Sequence, residues 1–129
     1  MIKGIGTDIV EIDRIEKVAN REGFLEKIFT IREIEHLRKR NMRPEYIAGR
    51  FAAKEAIVKA LGTGFRGISF KDIEIENDEL GKPIVILRDK AEELVSKEGM
   101  YNVHLSISHG RDSAIAYVIW EVIGENENR

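Results

Sequence analysis

The segment that most constrains the fold runs from Arg50 to Gly62 and reads RFAAKEAIVKALG. Its alanines favour a helix and let that helix lie close against a neighbouring element. Glycine at the end suits a left-handed helix stop, and Pro44 suits the first turn of the same helix. Neither helix formation nor close packing requires its four charged side chains, which are Arg50, Lys54, Glu55 and Lys59. We therefore predict a long helix whose charges handle phosphate and metal.

Composition places the chain among globular proteins. Of its 129 residues, 43% are hydrophobic and 34% are charged, and the net charge is −2. A chain of this length buries roughly two thirds of its unfolded surface, so we expect residues 1–129 to form one domain. The charge balance predicts no nucleic-acid partner, and no apolar run is long enough to cross a membrane. Without cysteine or a signal-peptide pattern, we expect a cytoplasmic protein with no disulfides.

Hydrophobic periodicity predicts helices mainly in the first half and strands mainly in the second. Thr30 and Glu33 have the spacing of a capping box that starts a helix. The last strand is apolar on both faces, so we predict that it is central or buried in an interface. Together these elements predict an α+β fold with helices packed on an antiparallel sheet. The predicted elements are a strand at 2–9, helices at 10–18, 24–29, 30–41 and 44–62, a hairpin of strands at 68–76 and 83–87, an exposed helix at 90–98, and strands at 103–108 and 114–122.

Asp8 and Glu55 are the best pair of hard oxygen ligands in the chain, provided that the first strand lies beside the long helix. Mg²⁺ prefers carboxylates together with phosphate oxygens and water. A purely structural interpretation is also open. Asp8 would then cap the helix after the first strand, and Glu55 would pair with Lys59 four residues later. Spacing alone does not separate a metal site from these local contacts.

Cations on the long helix and one histidine are candidate phosphate ligands. Arg50 could hold a phosphate with its bidentate fork, while Lys54 and Lys59 could act as point charges. The alternative is a solvated helix face, since exposed lysines are common. His109 ends a predicted strand beside Gly110, where a side chain can reach a ligand, although a lone histidine is more often structural. We expect no zinc site, because the three histidines lack paired spacing and cysteine is absent.

Three segments carry a family resemblance: GIGTDIVEIDRI at 4–15, RFAAKEAIVKALGTG at 50–64 and LSISH at 105–109. FLEKIFTIRE at 24–33 and GKP at 81–83 fit the same pattern. With these motifs the chain resembles the holo-acyl-carrier-protein synthases of the 4'-phosphopantetheinyl transferase superfamily. The motifs occur in the family's order over nearly the whole chain, so the resemblance is more specific than any one of them.

The resemblance implies transfer of the phosphopantetheine arm of coenzyme A to a serine of apo-acyl carrier protein, with release of 3',5'-ADP, in support of fatty acid biosynthesis. It places Asp8 and Glu55 at the family's Mg²⁺ positions and makes them catalytic together with Lys59. Mg²⁺ and Lys59 would draw charge from the pyrophosphate while the serine attacks in line. The base for the serine proton stays open between Glu55 and a metal-bound water. The implied coenzyme-binding residues are Arg50, Lys54, Lys59, Gly62, Pro83 and His109.

The resemblance also implies partners. The family is typically a homotrimer with active sites between neighbouring subunits, and we expect the same here. On the first helix, Arg14 and Arg21 would steer the acidic carrier protein and Phe24 would supply an apolar contact. The acids of that segment leave open a mixed exposed face instead; they are Glu11, Asp13, Glu16 and Glu22. A second basic cluster would extend the patch or complement the negative end of a helix, and comprises Arg38, Lys39, Arg40 and Arg43.

The chain departs from the family pattern after His109. The family often carries a small hydroxyl residue where this chain has Gly110, and an aromatic residue near Ser113. The contacts of this turn with the coenzyme are therefore left open. Two other functions share the charged residues. One is a non-catalytic module that binds an acidic protein or RNA, and the other is a Mg²⁺-dependent hydrolase of a nucleotide pyrophosphate that needs no protein acceptor.

Overall fold

The computed structural model describes residues 1–64 and 66–124 of the chain. A 3-10 turn at Phe70–Asp72 comes directly before the strand Ile73–Asn77, where the chain enters a hairpin. The arrangement is α+β, with helices packed on an antiparallel sheet as predicted. The elements are β1 (Ile2–Glu11), α1 (Ile12–Ala19), α2 (Phe24–Ile28), α3 (Ile31–Lys39), α4 (Pro44–Leu61), β2 (Ile73–Asn77), β3 (Pro83–Leu87), α5 (Asp89–Ser96), β4 (Met100–His109) and β5 (Ser113–Gly124).

The main sheet contains three antiparallel strands in the order β1-β5-β4. The central place of β5 confirms the prediction made from its two apolar faces. β2 and β3 pair separately as the predicted hairpin. The strand predicted to begin at residue 68 begins instead at Ile73, so that boundary was wrong. Ser69 and Asp72 bond to each other around the 3-10 turn, which holds the preceding residues out of the strand.

Helix α4 lies across β1 and β5, and small residues set its distance from β1. A Cβ atom on Gly6 would lie 1.9 Å from the carbonyl oxygen of Ala56, and one on Gly4 would lie 1.9 Å from that of Ala60. Only glycine fits at these two strand positions. The predicted start and stop of α4 are confirmed, since Pro44 opens the helix and the residue after Leu61 adopts φ 77°. This close contact brings Asp8 of β1 beside the middle of α4.

Two groups of buried side chains fill the interior. One joins α4 to β4, β5 and α5, and the other joins α1, α2 and α3 to α4. α5 is only partly exposed, because Ala91 and Val95 are fully buried. The capping box of Thr30 and Glu33 is confirmed at the start of α3. Among residues 1–64 and 66–124, no helix combines the length and apolar character needed to cross a membrane.

The face of the main sheet turned away from α4 is apolar and exposed. Ile5 pairs with Ile119 across β1 and β5, and Thr7 pairs with Tyr117 two residues further. The exposed fractions are 68% for Ile5, 65% for Ile9, 58% for Tyr117 and 38% for Ile119. We call these four residues the outer sheet face. Neighbouring apolar side chains exposed on one surface indicate an interaction site.

Candidate active site

Asp8 and Glu55 line the same cleft, which has a volume of about 490 Å³. We call it the acidic cleft. The contact between β1 and α4 brings the two carboxylates together, which meets the condition set by the sequence. Arg14 of α1 and the rings of Phe24 and Phe51 line the same cleft, so two of the three predicted docking residues lie beside the predicted metal ligands. The cleft therefore combines paired carboxylates with an apolar wall.

Lys59 pairs with β1 and not with its helix neighbour. Its Nζ donates to Asp8 Oδ1 at 2.9 Å and to the Thr7 carbonyl oxygen at 3.0 Å. Among the described ion pairs there is none between Glu55 and Lys59, so the alternative interpretation of Glu55 as a local partner of Lys59 is wrong. The alternative role for Asp8 as a helix cap is also wrong, because α1 begins after Glu11 and has no side-chain cap.

Glu55 carries a carboxyl group whose ionisation is opposed by its surroundings. Burial raises the pKa of Glu55, the negative charge of Asp8 raises it further, and Lys59 acts in the opposite direction. Residues 1–64 and 66–124 contain no group of three or more side chains able to ligate a metal. Two carboxylates nevertheless fit Mg²⁺, which completes its shell with water and substrate phosphate.

A second cleft, of about 250 Å³, brings together Arg50, Pro83 and His109. Tyr46 and Asn77 line the same space. We call it the basic cleft. A neighbouring depression of about 480 Å³ shares Tyr46 and His109 with it. That depression also contains most of the second basic cluster, namely Lys39, Arg40 and Arg43. Three of the six predicted coenzyme-binding residues therefore meet at one place.

Arg50 is a buried cation without an anionic partner in the described part of the chain. Arg50 is 6% exposed. Its Nη2 donates to the Tyr46 hydroxyl at 2.7 Å and to Asn77 Oδ1 at 2.6 Å. Both acceptors are neutral. Its Nη1 is buried and bonds to no described group. A buried charge left uncompensated is costly, so the basic cleft is suited to an anion.

Lys54 does not bind coenzyme phosphate, which corrects the prediction. The residue is 0% exposed. Its Nζ donates to Glu33 Oε1 at 2.7 Å and to the carbonyl oxygens of Ile28 at 3.0 Å, Phe70 at 3.0 Å and Ile73 at 2.8 Å. Burial lowers the pKa of Lys54, and the charge of Glu33 opposes that effect. Its buried ammonium group thus connects α4 to α2, to α3 and to the chain between the 3-10 turn and β2.

The two clefts lie on different sides of α4. Nine residues separate Arg50 from Lys59, which at about 100° per residue places their side chains roughly half a turn apart. Their contacts agree with this geometry, because Lys59 bonds to β1 and Arg50 bonds to Asn77 at the end of β2. One small phosphate group cannot contact both side chains of the same chain.

Residues 4–118 match the sequence profile of the 4'-phosphopantetheinyl transferase superfamily. The chain belongs to this superfamily. The resemblance found in the sequence is thereby confirmed. Within the superfamily, a holo-[acyl-carrier-protein] synthase of Clostridium novyi (strain NT) is 63% identical over 123 residues, which cover 95% of this chain and 89% of that protein.

Solved structures of superfamily members resemble this one over nearly their full length. A holo-(acyl-carrier-protein) synthase of Bacillus anthracis str. Ames, in complex with CoA (3',5'-ADP), has a TM-score of 0.79 and 44% identity, with 95% of this chain and 99% of that chain covered. The Helicobacter pylori holo-[acyl-carrier-protein] synthase, in complex with coenzyme A, has a TM-score of 0.80 and 36% identity, with 91% and 99% covered.

Two predicted site residues, Gly62 and Arg21, line neither the acidic cleft nor the basic cleft. Gly62 ends α4 with φ 77°, and its place in coenzyme binding stays a prediction. Arg21 is exposed after α1, and its docking role likewise stays a prediction. Two residues of the basic cleft, Tyr46 and Asn77, were not predicted from the sequence. The contact of Tyr46 with Arg50 could have been predicted, because the two residues are four positions apart on one helix face. Asn77 reaches Arg50 only through the position of the hairpin.

Proposed function

We propose that this chain, acting as a single domain over residues 1–129, transfers the 4'-phosphopantetheine group of coenzyme A to a serine of apo-acyl carrier protein. The products are holo-acyl carrier protein and 3',5'-ADP, and the reaction supports fatty acid biosynthesis in the cytoplasm. The observation that carries the proposal is the buried guanidinium of Arg50, which lacks a described anionic partner in a cleft shared with His109 and Pro83. Superfamily members with bound coenzyme A support the identity of the anion.

Coenzyme binding is assigned to both sides of α4. Arg50 and His109 would hold phosphate groups in the basic cleft, and Pro83 would form its wall. Lys59 is 55% exposed at its side chain, so its ammonium can turn from Asp8 towards the pyrophosphate. Gly62 ends the same helix one turn beyond Lys59, where its backbone would approach the coenzyme. Cations at these positions neutralise the charge of the phosphates.

Asp8 and Glu55 would hold Mg²⁺. When bound, this ion polarises the phosphoryl oxygens and offsets the charge that develops on them. The raised pKa of Glu55 supports the assignment, since burial and the charge of Asp8 create a demand for a cation at this point. The two residues supply part of the coordination shell, and water and phosphate oxygens suit the rest.

The transfer itself is an in-line displacement. The serine oxygen forms a bond to the β-phosphorus of coenzyme A while the bond from that phosphorus to the bridging oxygen of 3',5'-ADP breaks, and the electron pair leaves with 3',5'-ADP. Lys59 would stabilise the charge on the departing phosphate. The serine proton passes to Glu55 or to water in the acidic cleft. Thus the protein contributes position and charge and forms no covalent intermediate.

The acidic cleft also gives the carrier protein a place to dock. Arg14 lines the cleft, and Phe24 packs there against Phe51 with ring centroids 6.2 Å apart. Arg21 is exposed at the turn between α1 and α2, three residues before Phe24. These cations would steer an acidic carrier protein, while the aromatic pair would provide apolar contact close to the carboxylates.

A homotrimer with active sites between subunits fits this geometry. The phosphate ligands Arg50 and Lys59 face opposite sides of α4, so a second subunit would bring its basic cleft to the acidic cleft of the first. The outer sheet face offers apolar surface for such assembly, with Ile5 68% and Tyr117 58% exposed. Association of identical subunits around a closed axis would cover that surface.

The test of the function is the intact mass of apo-acyl carrier protein after incubation with this protein, coenzyme A and Mg²⁺. We expect the carrier to gain one phosphopantetheine group, and the gain to disappear when the metal is chelated. Release of 3',5'-ADP without carrier would favour the pyrophosphate hydrolase. Salt-sensitive binding of the carrier with no mass gain would favour the non-catalytic module.

A further inference from the structure

Tyr46 lies between a histidine and the arginine of the basic cleft. Its hydroxyl is 2.7 Å from Arg50 Nη2 and 2.6 Å from His36 Nε2. The His36 and Tyr46 rings lie 5.5 Å apart, and the guanidinium carbon of Arg50 lies 5.0 Å from the centre of the Tyr46 ring. The three side chains form a continuous chain of contacts from α3 to the cleft.

The groups involved fix the direction of the Arg50–Tyr46 hydrogen bond, and the tautomer of His36 sets the direction of the other. A guanidinium can only donate, so the Tyr46 oxygen accepts from Arg50. In the tautomer that carries the ring proton on Nδ1, His36 Nε2 accepts the single phenolic proton of Tyr46. The surroundings favour the neutral ring that such a tautomer requires, because burial lowers the pKa of His36 and the charges of Arg50, Arg40 and Lys39 lower it further.

The other side of the guanidinium is held by the hairpin. Asn77 Oδ1 accepts from Arg50 Nη2 at 2.6 Å, and Asn77 Nδ2 donates to the Gly81 carbonyl oxygen at 2.8 Å. The two protons of Nη2 are therefore used by Tyr46 and Asn77. Nη1, which has no described partner, is left for an anion. A guanidinium fixed in this way loses less rotational freedom when a phosphate binds.

We propose that Tyr46, oriented by His36, is a positioning residue that holds Arg50 Nη1 ready for a phosphate of coenzyme A. The inference rests on the proposed function for the identity of the anion. Tyr46 acts through Arg50, so its contribution depends on the presence of the guanidinium. His36 acts one step further away, by accepting the phenolic proton.

The first test is Tyr46→Phe, which removes the hydroxyl and keeps the ring. We expect the dissociation constant of coenzyme A, measured by titration calorimetry, to rise about 3- to 10-fold, the effect of one lost hydrogen bond. The KM for coenzyme A should rise similarly, with kcat within about twofold of the parent value. Tyr101→Phe is the matched control, since its hydroxyl bonds to Glu92 and Tyr101 does not line the basic cleft.

A double-mutant cycle separates positioning from direct contact. Coenzyme A affinity is compared for Tyr46→Phe, Arg50→Gln and the double variant, with thermal unfolding recorded for each. If Tyr46 acts through Arg50, the Tyr46→Phe effect disappears in the Arg50→Gln background. Full additivity of the two effects would overturn the proposal, as would unchanged affinity in Tyr46→Phe.

His36 gives the second arm. His36→Gln retains a side-chain acceptor for the phenol and should keep coenzyme A affinity near the parent value, whereas His36→Leu should weaken it as Tyr46→Phe does. Equal weakening by both substitutions would overturn the role of His36. Because binding is measured directly, coenzyme A binding without transfer by the parent would sink the proposed function and leave the positioning result standing. If the parent protein binds no coenzyme A, both the proposed function and the positioning role of Tyr46 are contradicted.

Discussion

Two lysines on one helix show how far the surroundings of a residue decide its role. Lys54 and Lys59 are five positions apart, yet the side chain of Lys54 is 0% exposed and that of Lys59 is 55% exposed. Glu33 and three backbone carbonyls satisfy Lys54. Lys59 donates to Asp8, which lines the acidic cleft. Only Lys59 therefore remains available to a substrate phosphate.

Replacing Lys54 by Met should destabilise the fold. The substitution leaves the Glu33 carboxylate buried without its ion-pair partner, which costs about 3–5 kcal/mol of the free energy of unfolding. Urea denaturation measures the loss. Lys97→Met, at an exposed position, should change that free energy by less than about 0.5 kcal/mol. An unchanged value in Lys54→Met would contradict the structural role of the buried ammonium.

Replacing Glu55 by Gln should remove activity and keep the fold. The variant loses one of two metal-binding carboxylates, so we expect the rate of transfer to carrier protein to fall on the order of 10²-fold. Mass spectrometry of the carrier gives the rate, and circular dichroism checks the fold. Glu93→Gln, at an exposed position of α5, is the control. Full turnover by Glu55→Gln at limiting Mg²⁺ would falsify the metal role.

The same substitution should change how stability depends on pH. The raised pKa of Glu55 means that the folded protein binds this proton more tightly than the unfolded chain does. Its contribution to stability is therefore present below the ordinary carboxyl pKa and is lost as pH rises through the raised value. With metal chelated, Glu55→Gln should gain stability relative to the parent as pH rises through this window. A difference that stays constant in urea titrations at several pH values would refute the raised pKa.

At the scale of elements, the contact between β1 and α4 builds the acidic cleft. The helix contributes fully buried alanines, including Ala52 and Ala56, and the strand contributes Gly4 and Gly6. Neither surface has side chains that would hold the backbones apart. The carboxylates of the strand and the helix can therefore reach the same space.

A methyl group on Gly6 should disrupt this contact. Its Cβ would lie 1.9 Å from the Ala56 carbonyl oxygen, a backbone atom that cannot move without moving α4. We expect Gly6→Ala to lower the free energy of unfolding by at least about 3 kcal/mol. For Gly110→Ala, where a Cβ meets nothing within 4 Å, the expected change in urea denaturation is below about 0.5 kcal/mol. Equal stability of the two variants would mean that β1 and α4 are not so close.

At the scale of the whole molecule, the charges needed for one reaction lie in two clefts. The acidic cleft contains Asp8 and Glu55, and the basic cleft contains Arg50 and His109. The outer sheet face leaves apolar side chains exposed. The proposed trimer, in which a neighbouring subunit completes the site, would account for both features.

Mixing two inactive variants tests such a shared site. Arg50→Gln impairs one side and Glu55→Gln impairs the other, so a mixed assembly of the proposed trimer would contain some interfaces with both sides intact. Random mixing of equal amounts would restore about a quarter of the parent activity per interface. We would refold the two variants together and measure transfer. Asp8→Asn mixed with Glu55→Gln is the control without recovery, because both changes affect the same side; no recovery in the first mixture would place the whole site within one chain.

Most of the elements, and the chemistry available to them, could be predicted from the sequence alone. Local signals were sufficient for α4, whose Pro44 start and Gly62 stop depend on neighbouring residues, and for the capping box of Thr30. They were also sufficient for the β2–β3 hairpin and for the central place of β5. The motifs near Asp8, Glu55 and His109 indicated the family, because their order along the chain is a property of the sequence alone.

Which charges are buried and paired, and which face a cleft, depends on long-range packing. Lys54 was mistaken for a phosphate ligand because its partner Glu33 lies on another helix, and Asn77 was missed because a hairpin brings it to Arg50. Helical phase is local, but burial depends on what packs against each face. Long-range packing therefore buries Lys54 beside the carboxylate of Glu33 and leaves Arg50 without an anionic partner among the described residues. Residue type and spacing do not encode this difference.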